Sequence, residues 1–72
     1  MYNETIGYRA YSECIRIFGG AAEAAKCMGA SARGVVYDWR KNRCPNAYFL
    51  SKLCLAGADI KYILIGEREN GN

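Results

Sequence analysis

The chain contains no histidine. That absence removes the side chain that most often acts as a general base, the commonest metal ligand, and the usual partner of a nucleophilic serine or cysteine. With 72 residues, the chain is also short for a catalytic cleft of its own. We therefore expect no enzyme activity, no cofactor, no metal ion and no small-molecule ligand.

Cysteine is present but never in a metal-binding or redox arrangement. The four cysteines are Cys14, Cys27, Cys44 and Cys54. No two of them form a Cys-x-x-Cys pair, so neither a zinc site nor a thioredoxin-like site is indicated. The first five residues, Met-Tyr-Asn-Glu-Thr, lack the apolar stretch of a secretory signal, which argues against a secreted disulfide scaffold. We expect reduced, structural thiols in a cytoplasmic protein.

Long hydrophobic runs are missing as well. No apolar stretch approaches the roughly 20 residues of a membrane-spanning helix, so no membrane partner is expected. The length allows one domain at most, and a hydrophobic share of 51% suffices for one compact core. We assign residues 1–66 to this domain and residues 67–72 to a polar C-terminal tail.

Glycines and the single proline divide the chain into about five helical segments. Thr5 is placed to cap the first helix, and Gly19 and Gly20 end it. Apolar residues at helical spacing predict its inner face: Tyr11, Cys14, Ile15 and Phe18. Polar residues predict its solvent face: Arg9, Ser12, Glu13 and Arg16. A second helix is predicted from Ala21 to Met28, ending at Gly29. Its inner face is Ala21, Ala24, Ala25 and Met28.

The third helix has the most informative pattern. Ser31 is its candidate N-cap. One face is apolar and predicted to contact the core: Ala32, Val35, Val36 and Trp39. The opposite face combines an aromatic ring with three cations: Arg33, Tyr37, Arg40 and Lys41. Gly34 is either an unfavourable helix residue or a position where the missing side chain lets the backbone approach a ligand.

Positive charge is concentrated around this helix. Positions 33–43 contain four cationic residues and one acidic residue, Asp38. The net charge of this segment is therefore +3, equal to the net charge of the whole chain. A basic segment suits an acidic partner such as DNA, although a solvated helix face has the same composition. The remaining tyrosines at helical spacing are interpreted as packing residues: Tyr2, Tyr8, Tyr11 and Tyr48.

Two further helices complete the predicted all-α bundle. Pro45 is placed to open the fourth helix, and Gly57 to close it. Its predicted inner face is Ala47, Leu50, Leu53 and Cys54. Asp59 is the candidate cap of a short fifth helix that ends at Gly66.

Residues 21–41 resemble a helix-turn-helix of the lambda-repressor-like superfamily. The turn between the second and third helices, Gly29-Ala30-Ser31, has the length that this unit uses. Ala25 stands where the motif has a small residue, and Gly29 matches the turn glycine. Val35 matches the apolar residue that locks the recognition helix.

The resemblance extends over about residues 8–67. Three further segments are similar to phage CI and Cro-type regulators: Ile17-Phe18-Gly19-Gly20, Asp38-Trp39-Arg40-Lys41-Asn42-Arg43-Cys44-Pro45, and the closing stretch from Leu53 to Glu67. This resemblance implies a sequence-specific transcriptional repressor of a phage or prophage, a homodimer on palindromic operators in the bacterial cytoplasm. The chain is then either a Cro-type protein or the N-terminal part of a longer CI-type repressor.

In such a unit the third helix enters the major groove, where base edges carry distinct donor and acceptor patterns. Arg33 is expected to read guanine, and Tyr37 a thymine methyl group, a base or a phosphate. The other residues at the groove-facing start of the helix are Ser31, Ala32 and Gly34. Phosphate contacts are expected from Arg40, Lys41, Arg43 and, more weakly, Lys26. The start of the second helix at Ala21 offers unpaired N–H groups to a further phosphate.

One departure from the family concerns the register of the third helix. Trp39 follows Gly29 by ten residues, one more than is usual. Either the turn is one residue longer or the helix is shifted. The cap is accordingly Ser31 or Ala32, and Arg33 or Gly34 points furthest into the groove.

The fifth helix is the expected dimer contact, because the other helices use their apolar faces for the core. Tyr62 and Ile65 are predicted at the contact, with Ile60 and Leu64 facing inward. An alternative function is a protein-binding adaptor, antirepressor-like or antitoxin-like, that uses the same fold through a less basic surface.

Overall fold

The computed structural model describes residues 5–29, 34–41 and 43–68. Within these ranges the chain forms five α-helices and no β-strand. The helices are α1 (Ile6–Phe18), α2 (Ala21–Met28), α3 (Gly34–Arg40), α4 (Ala47–Leu55) and α5 (Ile60–Ile65). The prediction of an all-helical chain is confirmed for this part of the sequence.

Local side-chain chemistry sets most helix ends where the sequence predicts them. The Thr5 hydroxyl accepts a hydrogen bond from the Tyr8 amide at 3.1 Å, and the Asp59 carboxylate accepts one from the Tyr62 amide at 3.0 Å. Both side chains thereby satisfy amides that a helix start leaves unpaired. Glycines in the left-handed conformation follow three helices: Gly19, Gly29 and Gly66.

Helix α4 begins two residues later than predicted. Asn46 is its cap, since the Asn46 side-chain oxygen accepts a hydrogen bond from the Phe49 amide at 3.0 Å. The prediction that Pro45 opens this helix is therefore wrong, because Pro45 precedes the cap and is buried. Gly57 closes the segment with a φ of 96°, and the Ala58 amide then donates to the Leu53 carbonyl at 2.9 Å.

Helix α1 is the central element, because it packs against α2, α3 and α5. The buried apolar residues are Ala10, Cys14, Ala21, Ala24, Ala25, Met28, Val36, Trp39, Leu53 and Ile63. The small inner face predicted for α2 is confirmed in full. Three alanines on that face let α2 lie close to its neighbours.

The buried face of α1 is rotated relative to the prediction. Glu13, assigned to solvent, is completely buried, while Ile15, assigned to the core, is 39% exposed. Gly7 and Ala10 join the buried face because their small size lets other helices approach α1 closely. At Gly7, a Cβ would overlap the Arg43 carbonyl oxygen and lie 2.8 Å from that of Trp39.

Helices α4 and α5 also differ from their predicted faces. Ala47 and Cys54 are exposed, and Phe49 packs against the core beside Leu50 instead. In α5, Ile63 is the fully buried residue and Ile60 packs against the core beside it. Leu64, predicted to face inward, is exposed, because burying Ile63 turns the next residue toward solvent.

The cysteines occupy two kinds of environment. All four are free thiols; Cys14 is buried, while Cys27, Cys44 and Cys54 are exposed. A structural role is therefore wrong for the three exposed ones. Burial, together with the adjacent Glu13 charge, raises the pKa of the Cys14 thiol to about 12. Cys14 consequently packs as a small neutral side chain.

Candidate nucleic-acid interface

Helix α3 is held to the core by two side chains. Val36 is fully buried, and Trp39 is nearly so. The Trp39 ring meets the Phe49 ring of α4 edge-on, with the ring centroids 5.6 Å apart. The predicted inward orientation of Val36 and Trp39 is confirmed, and Val35 lies at the edge of the same face, half-buried.

The opposite side of α3 is open to solvent. Gly34, Tyr37, Arg40 and the following Lys41 are all exposed. Tyr37 is 39% exposed, so the prediction that it points outward is confirmed. A Cβ at Gly34 would meet no atom within 4 Å, so nothing in the described chain crowds this position.

Arg40 is packed against aromatic rings from two helices. Its guanidinium carbon lies 5.9 Å from the ring centroid of Tyr37 and 5.9 Å from that of Tyr11 in α1. The two rings are 6.3 Å apart, and Tyr8 lies 6.0 Å beyond Tyr11. We call Tyr8, Tyr11, Tyr37 and Arg40 the tyrosine–arginine cluster.

Sequence reasoning missed the α1 half of this cluster. Tyr8 and Tyr11 were interpreted as packing residues; Tyr11 does pack against the core while partly buried, and Tyr8 is partly buried beside it. Their spacing of three residues on one helix was visible in the sequence. Nothing in that spacing indicated that the same helix edge faces the basic side of α3.

Two further cations, Lys41 and Arg43, follow the C-terminal end of α3, where the chain turns sharply. The backbone amides of Lys41 and Arg43 both donate to the Asp38 carbonyl, at 3.0 and 3.1 Å. Both side chains are exposed. Arg43 and Asp38 also line a cavity of about 200 Å³ between α3 and α4, together with Val35, Trp39, Cys44, Asn46 and Phe49. Asp38 and Arg43 thus both border the space between α3 and α4.

The other predicted DNA contacts are less centrally placed. Lys26 is exposed on α2. The Ala21 side chain belongs to the core, so that residue has only its backbone N–H to offer. Gly20 precedes it without a side-chain capping bond. Three of the predicted contacts lie outside the described residues: Ser31, Ala32 and Arg33.

The predicted dimer residues differ in accessibility. Ile65 is 60% exposed on the outer face of α5. Tyr62 is half-buried, because the Arg68 guanidinium covers its ring at 3.8 Å from the centroid. Of the two, Ile65 is the one that offers open apolar surface.

A buried charge ties α1 to the residues after α5. Glu13 accepts two hydrogen bonds from Arg16, at 2.7 and 3.0 Å, and one from the Asp59 amide at 2.9 Å. Arg68, from the predicted tail, donates a further one at 3.0 Å. Burial by itself would raise the pKa of Glu13, but these four bonds outweigh it and lower the pKa to about 2. This cluster joins α1 to the segment that follows α5.

Two kinds of feature are absent from the described residues: metal-ligand groups and membrane-spanning helices. No group of three or more potential metal ligands occurs within residues 5–29, 34–41 and 43–68. In the same ranges, no helix is long and apolar enough to cross a membrane.

In comparisons with protein-family models, with curated proteins and with solved structures, the chain has no match. The interpretation of the α3 surface therefore depends on the residues and geometry described above.

Proposed function

We propose that this chain is a sequence-specific regulator that binds double-stranded DNA, of the phage CI or Cro type that its sequence resembles. The observation that supports the proposal is the two-sided character of α3. Val36 and Trp39 anchor one side in the core, while Tyr37, Arg40 and Lys41 remain exposed on the other. A single α-helix fits the major groove of B-form DNA, so an anchored helix with an exposed aromatic and basic side is suited to enter it.

The proposed contacts divide into two kinds. Arg40, Lys41 and Arg43 bind phosphate oxygens, which sets affinity and orientation but carries no sequence information. Tyr37 meets a base edge or a thymine methyl group. Arg33 is assigned to base reading by the sequence alone.

The proposal includes a homodimer on a palindromic site. One recognition helix reads only a few base pairs, and two-fold pairing doubles the site. The exposed Ile65 on α5 supplies apolar surface for such a contact. Half-sites would then lie about one helical turn of DNA apart, roughly 34–36 Å.

The test of the proposal is selection of bound sequences from a pool of random duplex DNA. We expect an enriched palindrome, and log K for that duplex should fall linearly with log salt, by about 0.9 for each phosphate contact. Lys41→Ala should reduce this slope by about 0.9 per bound monomer. The matched control is Lys52→Ala, which removes the same charge from α4, where the Lys52 ammonium lies 5.5 Å from the Tyr48 ring centroid. Equal effects of the two variants would count against the proposed surface.

A second candidate function, a protein-binding adaptor, is favoured by exposed apolar side chains. Leu55 is 85% exposed at the end of α4, and Leu64 and Ile65 are exposed on α5. Exposed apolar groups of this kind often mark protein contacts. No enrichment from the duplex pool, together with a flat salt response, would favour the adaptor over the DNA-binding regulator.

A further inference from the structure

The tyrosine–arginine cluster joins two helices at the edge of the proposed DNA surface. Tyr37 and Arg40 are three residues apart on α3, so their contact is local. Tyr11 belongs to α1, and its ring lies as close to the Arg40 guanidinium as the Tyr37 ring does, at 5.9 Å. Both distances are within the roughly 6 Å at which an aromatic ring attracts a cation.

This geometry restricts the Arg40 side chain while leaving it accessible. A guanidinium group can rest on a ring with its face and still present its N–H edge to an anion. Arg40 is an exposed residue, which leaves its side chain accessible to a ligand. Because ordering a free arginine opposes binding, an arginine held in place beforehand binds a phosphate more tightly.

We infer that Tyr11 is a positioning residue of the DNA interface, which holds the Arg40 guanidinium so that its N–H edge meets a phosphodiester oxygen. The inference rests on the proposed DNA-binding function. It adds α1 to an interface that the sequence assigns to α2, α3 and the residues after α3. Tyr11 itself need not touch the DNA, since its effect passes through Arg40.

The experiment is a double-mutant cycle on the duplex selected from the random pool. Tyr11→Leu removes the ring and keeps an apolar side chain, and it should weaken binding about 3- to 5-fold. Tyr11→Phe keeps the ring and should stay within about 2-fold of the original chain, because the attraction belongs to the ring face. In an Arg40→Ala background, Tyr11→Leu should change affinity less than about 2-fold.

A matched control is available on α4. The Lys52 ammonium lies 5.5 Å from the Tyr48 ring centroid, so Tyr48→Leu removes a similar cation–ring contact outside the proposed surface. We expect no loss of DNA affinity from Tyr48→Leu. All affinities are measured at a temperature where thermal unfolding shows each variant to be folded.

A second readout uses the free protein and needs no variant. In the folded chain, nuclear Overhauser contacts should join the Tyr11 ring protons to the Arg40 side chain, and ring currents should shift the Arg40 Hε resonance upfield. Absence of these contacts overturns the inference even if Tyr11→Leu fails to fold. If Tyr11→Leu weakens binding equally with and without Arg40, the inference about Tyr11 is overturned but the proposed function stands. If the chain binds no duplex, both the inference and the proposed function are overturned.

Discussion

Glu13 keeps a negative charge at a position with no access to solvent. Its two carboxylate oxygens together accept four hydrogen bonds, from Arg16, the Asp59 amide and Arg68. A buried carboxylate is tolerated only when paired and fully bonded, and these partners meet that condition. The partners come from positions 16, 59 and 68, so the residue joins α1 to the far end of the chain.

The depressed pKa of Glu13 predicts acid-sensitive stability. A folded-state pKa of about 2 lies below the ordinary value of 4.5, so the contribution is present above about pH 4.5 and lost as pH falls toward 2. The shift corresponds to at most about 3 kcal/mol, since the exposed Arg16 is screened by solvent. Glu13→Gln should lower the free energy of unfolding at pH 7, and its difference from the original chain should shrink toward pH 2.

Denaturant unfolding at a series of pH values measures this prediction. Arg16→Gln is a useful companion, because it removes the partner that supplies two of the four bonds and leaves the carboxylate in place. A Glu13→Gln curve parallel to that of the original chain from pH 7 to pH 2 would contradict the low pKa.

Gly7 is a residue at which any side chain is expected to disrupt packing. A Cβ would overlap the Arg43 carbonyl oxygen, and backbone atoms cannot move aside as a flexible side chain can. Gly7→Ala should therefore destabilise the fold by about 2 kcal/mol or more, although alanine is the better helix former. Thermal unfolding followed by circular dichroism measures the effect.

Gly34→Ala is the matched control for Gly7→Ala, because a Cβ there meets open space. It should leave stability unchanged or raise it by up to about 1 kcal/mol. If the backbone at Gly34 approaches DNA closely, the same variant will weaken binding to the selected duplex. A stability loss equal to that of Gly7→Ala would be inconsistent with the described packing.

At the scale of the element, α3 is too short to be stable alone. The seven described residues of α3 make barely two turns, and isolated helices of that length are unstable in water. Its position depends on Val36 and Trp39, and on the edge-on contact between Trp39 and Phe49. The exposed side of α3 can therefore be presented to a ligand only while its buried side stays packed.

Trp39→Ala should cost about 3–5 kcal/mol, a large part of the stability of so small a domain. Binding to DNA would then be lost through unfolding. The control is Tyr48→Ala, which removes another aromatic that meets Phe49 edge-on but is 55% exposed, and should cost about 1 kcal/mol or less. A Trp39→Ala chain with an unchanged unfolding midpoint would refute the described orientation of α3.

At the scale of the whole molecule, α5 has both a buried and an open side. Ile63 is fully buried, and Arg9 binds the carbonyls of Ile63 and Leu64 at 3.0 and 3.4 Å, which fixes the end of the helix. Leu64 and Ile65 face outward beside the Lys61–Glu67 ion pair. An apolar pair flanked by one positive and one negative charge suits a contact with a second copy of itself.

Ile65→Asp should therefore weaken self-association without unfolding the chain, because Ile65 is mostly exposed. The open surface is small, so we expect a dimer with a dissociation constant on the order of micromolar. Sedimentation over a range of concentrations, with and without the selected duplex, measures it. Leu55→Asp places the same charge on exposed apolar surface of α4 and should leave association unchanged. A monomer at every concentration, bound singly to DNA, would contradict the dimer.

Features encoded within a few residues could be predicted from the sequence alone. Thr5 and Asp59 cap helices, Gly19 ends one, and the alanine face of α2 is buried, because each depends on side chains within one or two helical turns. The inward orientation of Trp39 and the outward one of Tyr37 followed from the 3.6-residue period of α3.

Features that depend on distant partners were decided by the tertiary structure. Periodicity locates an apolar stripe but not its edges, so it misplaced Glu13 and Ile15 on α1, which touches three helices at once. The buried Glu13 is bonded by Arg68 from 55 positions away, a partner that local spacing does not reveal. The contact of Tyr11 with Arg40 arises in the same way, from two helix edges that only the packing of α1 against α3 brings together.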